Sequence, residues 1–213
     1  MLSWRIKKSA ALGAVLAALL LLALASSSGG SADGAATQGG PSLRGQFLVA
    51  SPCMGDPRFA HSVIYMVDHT ARGAMGFIVN HAFGTGPLAE FLKGFNIGSD
   101  KTDATITIHY GGPVKPGRGF VIHSSDYAGT DTIRVSERAS ITVEMSVLKD
   151  LAASKGPCLV LFVMGYVGWG PHQLERKMAR ADWLTAPEDL GLIFGDDQET
   201  KWERARTGAG LAL

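Results

Sequence analysis

The sequence predicts an α+β fold, a single domain in which a curled, mixed or mainly antiparallel β-sheet is flanked by several short helices. Three observations predict it. Short runs rich in β-branched and aromatic residues recur along the chain with single helical patterns between them, the arrangement of domains that combine a sheet with separate helices. The runs Ser62–Asp68 (SVIYMVD) and Ala74–Asn80 (AMGFIVN) flank His69-Thr70-Ala71-Arg72-Gly73 as the arms of a hairpin. The run Cys158–Met164 (CLVLFVM) is apolar without interruption, which marks a strand buried on both faces near the middle of the sheet.

The elements follow in order. Gly45–Ala50 (GQFLVA) reads as a strand that Ser51-Pro52 turns, and the hairpin comes next. Pro87–Phe95 (PLAEFLKGF) has Pro at a first helical position and sets Leu88, Phe91, Leu92 and Phe95 on one stripe, so a short amphipathic helix is expected. Thr105–Tyr110 alternates Ile106 and Ile108 with Thr107 and His109, and Gly119–His123 (GFVIH) is a second strand, the two expected to pair. Thr132–Val135 is a further short strand, and Ser146–Ser154 a helix that Lys155-Gly156-Pro157 ends. After the central apolar run, Gly165 to Gly170 is expected to break the strand, and Pro171–Ala181 to form a helix with Leu174 and Met178 four apart. Leu190–Phe194 reads as a last strand, and Asp196–Arg206 as a polar helix with Trp202 as its anchor. No internal repeat is present.

The N-terminal part has a different character. Arg5, Lys7 and Lys8 precede a stretch without charge that ends in Ala23-Leu24-Ala25, the layout of a secretory signal peptide. Its apolar core, Ala10 to Ala25, is shorter than the roughly 20 residues that a membrane span needs. Residues 1–25 are therefore read as a signal peptide or an N-terminal membrane anchor, and 26–42 as a flexible Ser/Gly-rich linker with no large apolar side chain until its end. Residues 43–207 form the expected folded domain, a length at which one core hides roughly 70% of the unfolded surface, and 208–213 a tail. The placement implied is periplasmic, extracellular or N-terminally anchored.

Charge bounds the partners. Lys and Arg number 20 against 19 Asp and Glu, and three of the basic residues fall in the leader, so the remainder is mildly acidic and has no basic run. That balance argues against direct nucleic-acid binding, and membrane contact is expected only through an uncleaved N-terminal segment. Cys53 and Cys158, the two cysteines of the chain, could form one disulfide in an oxidising compartment. Closing a loop of that length would contribute about 4 to 5 kcal/mol in the chain-entropy estimate.

The densest chemistry lies between Ser51 and His69, where Cys53, Asp56, His61, Asp68 and His69 crowd together. A nucleophilic Cys53 with His61 or His69 as base requires contact that neighbouring positions do not establish, and Asp56-Pro57 is an ordinary turn starter. His61, Asp68, His69, His109 and His123 lack the paired spacing of a zinc site, so no metal and no cofactor is expected. Gly111-Gly112-Pro113 and Gly117-Arg118-Gly119 match no phosphate-binding loop, because Pro113 removes an amide that such a loop needs. Trp169, Trp183 and Trp202 with Tyr166 and Phe194 read as core and helix anchors. No G-x-S-x-G elbow is present.

Three blocks in order resemble the AlgH/YqgE family: FLVASPCMGDPRFAHSVIYMVDHTARGAMGFIVNH, YGGPVKPGRGFVIHSS, and GYVGWGPHQLERKMARADWLTAPEDLGLIF followed by Trp202. The resemblance covers about Leu43 to about Arg206. It implies a small α+β protein of a functionally uncharacterised bacterial family, ordinarily cytosolic, whose name is linked to a transcriptional regulatory role in alginate production. The export-like leader departs from that pattern, since an exported domain could not regulate genes in the cytosol. The expected function is a non-catalytic domain that binds a small molecule or a protein partner; the alternative is a thiol- or His/Asp-dependent enzyme acting outside the cytoplasm. The expected binding residues are Asp56, His69, Asn80, Arg118 and His123, polar groups that strand ends could bring together. Cys53 lies outside the set that matches the family.

Overall fold

The computed structural model describes residues 41–98, 104–144 and 146–210. The expected leader and most of the expected linker lie outside those residues. Among the described residues no helix is long and apolar enough to cross a membrane.

The alternation of side chains along the first strands explains why the core has two sides. In β1 (Phe47–Ala50), Phe47 and Val49 enter one apolar cluster while Leu48 and Ala50 enter another. In β2 (Val63–Thr70), Val63, Tyr65 and Val67 join the first cluster and Ile64 and Met66 the second. Successive residues of a strand face opposite ways, so a strand that is apolar at every position must be covered on both faces. β3 (Gly73–Ile78) pairs antiparallel with β2 and completes the expected hairpin, with only Ala71 and Arg72 between the two strands.

The remaining strands are β4 (Ala82–Pro87), β5 (Thr105–Tyr110), β6 (Val114–Ser124), β7 (Thr132–Arg134), β8 (Ala139–Thr142), β9 (Val160–Trp169) and β10 (Trp183–Ala186). The sheet order is β10-β1-β2-β3-β9-β6-β8-β7, and β9 is its centre. β9 holds β6 along one edge; the other edge is shared, with β3 meeting Val167–Trp169 and β5 meeting Phe162–Met164. The β5–β9 pair is parallel and all other pairs are antiparallel. The curled antiparallel sheet with short helices is the α+β architecture expected. Curling brings the chain before β1 against β7 and its following residue, where the Arg44 guanidinium donates to the carbonyls of Val135 (3.3 Å) and Arg134.

Helices close the open sides. α1 (Leu88–Lys93) and α2 (Ser146–Ala152) pack Leu88, Leu92, Val147 and Leu148 against Val121 and Phe162. α3 (Gln173–Met178) covers Trp169 and Trp183 with Leu174. α4 (Leu190–Phe194) and α5 (Lys201–Gly208) insert Leu192, Ile193 and Ala205 into the main cluster beside Phe47 and Tyr65. Each large apolar side chain fully buried in this way contributes about 1.5 to 3 kcal/mol.

Several expectations are corrected. β5 and β6 do not pair, because β9 lies between them. β9 is not broken at Gly165 but runs on to Trp169. Gly165 has φ +72° and Gly112 has φ +150°; a Cβ on Gly165 would overlap the Gly112 carbonyl oxygen, and a Cβ on Gly112 would overlap the backbone of Tyr166 and Val167. The glycines therefore mark a crossing of two backbones within the sheet. Leu190–Phe194 is a helix rather than a strand: the Asp189 carboxylate accepts from the Gly191 amide at 2.7 Å and caps its first turn. A short apolar run has no readable period, so the cap decides. The final helix begins at Lys201, later than Asp196.

Candidate functional site

The five expected binding residues do not share a pocket. Asp56 caps the 3-10 turn Pro57–Phe59, accepting from the Arg58 amide (3.1 Å), Nε (3.0 Å) and Nη2 (2.7 Å). The Arg58 guanidinium holds this carboxyl below its usual range. His69 accepts the Leu43 amide on Nδ1 at 3.0 Å, which places its proton on Nε2, 3.2 Å from Glu175 Oε1 on α3. Asp56 and His69 thus lie near a common helix, because Lys177 of α3 also acts on Asp56. Asp56 borders an open depression of about 430 Å³ with Lys177, Arg180 and Asp182, and His69 is not among its lining residues.

The other three are elsewhere. Asn80 is buried: its Oδ1 accepts from the Val63 amide at 2.8 Å, and its Nδ2 donates to the His61 carbonyl at 2.8 Å. Arg118, on β6, stacks over the Phe120 ring at 5.3 Å and makes no ion pair among the described residues. His123 is fully enclosed on β6, with Nδ1 2.9 Å from the Ser124 carbonyl and Nε2 3.0 Å from Thr142 Oγ1. Asn80 and His123 both direct their polar side-chain atoms to partners within the fold.

The structure holds Cys53 and Cys158 as two separate, exposed thiols and not as a disulfide. Cys53 follows β1 and Cys158 precedes β9, and β2 and β3 stand between those strands. The loop at Cys158 is tied down by its amide, which donates to Asp126 Oδ2 at 3.0 Å. The same carboxylate accepts from the Cys158 thiol and raises its pKa, the wrong direction for a nucleophile. No group of three or more His, Cys, Asp or Glu arranged for a metal occurs among the described residues.

A second, partly open site lies at the other side of the sheet's centre. A cavity of about 240 Å³ is bounded by Thr105–Thr107 and His109 of β5, Val160–Phe162 of β9, Leu88 of α1, Leu151 of α2 and the turn from Phe194 to Gln198. Its walls are apolar through Leu88, Ile106, Leu151 and Phe162. His109 is 2% exposed, and neither ring nitrogen has a hydrogen-bond partner. The Thr107 and Phe162 backbones and the Gln198 side chain lie against the ring as its nearest hydrogen-bond partners and partly offset the lowering of its pKa by burial. Gln198 donates through Nε2 to the Gly195 and Asp196 carbonyls, both at 3.3 Å, which leaves its buried Oε1 without a partner.

Electrostatics keep the ring neutral. Burial, reinforced by nearby Lys201, lowers the His109 pKa. Lys201 is itself fully buried, with Nζ donating to the Val79 carbonyl (3.0 Å) and the Ile193 carbonyl (3.3 Å), and desolvation pushes it down to about 8. Asp196 stands exposed at the rim. In the sequence His109 reads as a hydrogen-bonded strand-end histidine, and Gln198 and Lys201 read as parts of a polar helix. The alternation in Thr105–Tyr110 signals a strand, but only the packing of α4 and α5 shows that His109 is sealed from water.

The whole domain has relatives. The AlgH-like family model (DUF179) matches residues 47–213. A UPF0301 protein of Methylococcus capsulatus is 47% identical over 176 residues, 83% of this chain and 96% of the relative. A UPF0301 protein of Bradyrhizobium diazoefficiens is 41% identical over 177 residues, 79% of this chain and 83% of that one. The solution structure of the AlgH protein from Pseudomonas aeruginosa superposes with a TM-score of 0.68 at 34% identity, covering 85% of this chain and 94% of that one. A crystal structure from Corynebacterium diphtheriae shares the fold at a TM-score of 0.61 and 18% identity, over 78% of this chain and 86% of that one. The family matched on these grounds is also the one the three sequence blocks resemble, and the chain belongs to the AlgH-like, UPF0301 family.

Proposed function

We propose that this domain is a non-catalytic receptor for a small molecule, held in the cavity between β5, β9 and the turn before α5, and that its role is regulatory, through ligand occupancy. One observation carries the reading. A cavity of about 240 Å³ opens between Leu88, Ile106, Leu151 and Phe162, room for a small organic body. Its apolar walls would bury a ligand's body, with Thr105, Thr107 and Asp196 as polar residues of the lining, the usual make-up of a binding site.

The test is a fragment screen by heteronuclear NMR on the folded domain. Fragments should shift the His109 ring resonances together with the methyl groups of Leu88, Ile106 and Leu151. If no fragment moves those signals, the cavity is only a hydrated packing defect and the reading is wrong.

A further inference from the structure

We infer that His69 is a pH-sensitive latch on the chain that enters the domain: neutral, it holds Ser42 and Leu43 against the end of β2, and protonated it lets them go. A backbone N–H donates only to a ring nitrogen that carries no proton, and the Leu43 amide donates to His69 Nδ1 at 3.0 Å. The other nitrogen carries the ring N–H and faces Glu175 Oε1 at 3.2 Å. A second proton therefore goes to Nδ1, where it turns the acceptor into a donor and sets two N–H groups against each other. The Nε2 contact survives this step and becomes an ion pair, so the imidazolium keeps its partner on α3 while Leu43 loses its own. Histidine is the side chain whose ordinary change of charge falls between pH 5 and 8.

The attachment is narrow. Two hydrogen bonds join Ser42 and Leu43 to β2, the Leu43 amide to Nδ1 and Ser42 Oγ to the His69 carbonyl (3.1 Å), and both end on this one residue. The Leu43 side chain adds a single apolar anchor in the cluster with Leu48 and Trp169. From Gly45 onward the hold is independent of the ring, since the Gly45 amide donates to the Met66 carbonyl at 2.8 Å. Residues 1–40 join the domain through this segment, so the latch sets whether the point they start from is fixed. Glu175 is the charge that faces the imidazole, and it stays ionised across the range, held low first by its own amide and also by His69 and His172. Of the other charges nearby, Lys177 of α3 is directed to Asp182 (3.8 Å), Arg176 is exposed, and Arg44 is bound to the Arg134 and Val135 carbonyls. On its own hairpin His69 follows Asp68, with Arg72 in the turn; its partner across in β3 is Ala74, and Trp169 of β9 lies beyond, neither of which titrates.

The experiment follows the full chain by NMR as pH is lowered through the histidine range, with the His69 ring and the Leu43 and Gly45 amides as reporters. The Leu43 amide should shift with the same midpoint as the His69 ring. Its hydrogen exchange, corrected for the intrinsic effect of pH, should show an open population that rises at least about fivefold, the factor one neutral hydrogen bond carries. The Gly45 amide should show no step. In Glu175→Gln, at a half-exposed position, the imidazolium lacks its carboxylate, so the ring and Leu43 midpoints should move together to lower pH. In His69→Gln, which offers an acceptor that does not titrate in this range, the Leu43 step should vanish. A Leu43 amide without inflection while the ring titrates would overturn the latch. So would a ring that stays neutral throughout the range, a Leu43 midpoint that stays put in Glu175→Gln while the ring's moves, or a Leu43 step that persists in His69→Gln.

Discussion

The Asn80 carboxamide joins the start of β2 to the end of β3 through two 2.8 Å hydrogen bonds, to the Val63 amide and the His61 carbonyl. Asn80→Ala leaves both backbone groups without that partner, the first in a buried setting, and should cost about 2 to 4 kcal/mol in denaturant unfolding. Asp56→Asn should change stability by less than about 1 kcal/mol, because its partner Arg58 is exposed and water replaces the pair. Equal losses in the two variants would show that the Asn80 bonds are not what the geometry makes them. This contrast explains what the sequence could tell about the site. Polar residue types at strand ends are visible in the sequence, so Asp56, His69, Asn80, Arg118 and His123 stood out, but whether each spends its hydrogen bonds on the fold is a matter of contacts. His123 and Asn80 spend them inside, and the Arg118 guanidinium sits over the Phe120 ring. His109, with nothing in its neighbourhood in sequence to distinguish it, is buried beside the Gln198 side chain by the packing of distant elements.

At the scale of elements, legibility followed the strength of the local pattern. β2 and β3 were readable because two apolar runs meet across a short polar turn, and β9 because no polar residue interrupts it. β4 was hidden: Ala82–Pro87 contains Gly84 and Gly86, is largely exposed, and is a strand only because β5 supplies its hydrogen bonds. β8 and β10 are four residues each and are likewise defined by their partners, β6 with β7 and β1. The expected break in β9 failed for a related reason, since Gly165 serves the crossing with Gly112 and not a turn. Gly112→Ala would place a Cβ against the Tyr166 backbone at a φ of +150°, where no flexible side chain can yield. The variant should lose at least about 3 kcal/mol or fail to fold, whereas Gly117→Ala, four residues after Pro113 with open space around it, should change the midpoint little. A stable Gly112→Ala with an unchanged midpoint would refute the close crossing.

At the scale of the whole molecule, the buried titratable groups set the dependence of stability on pH. His81, His109 and His123 all have pKa values lowered from 6.5, with burial as the first cause. As pH falls through 6.5 the unfolded chain binds protons that the folded chain refuses, so stability declines on the acid side. Lys201 acts at the other end: buried, it titrates at about 8 in place of 10.5. Below pH 8 both states carry the ammonium and the folded one bears its desolvation; between 8 and 10.5 the folded amine has lost its proton while the unfolded one keeps it. Stability should therefore rise across that interval, by up to about 3 kcal/mol for the full shift. Tyr65 and Tyr127 oppose the rise from about pH 10 upward, because burial and the carboxylates of Glu188 and Asp150 raise their phenol pKa values, Tyr127 to about 12. The unfolded phenols ionise first, which draws the chain toward the unfolded state. The three effects together place the maximum close to pH 10, well above neutrality. Urea midpoints measured from pH 5 to 11 should fall below pH 6.5, climb between 8 and 10 and turn down beyond. In Lys201→Met the climb should be absent while the acid decline persists, whatever the variant's overall stability. A wild-type midpoint that is flat or falling from pH 8 to 10 would mean that Lys201 reaches water, and the seal that isolates His109 behind α4 and α5 would have to be drawn differently.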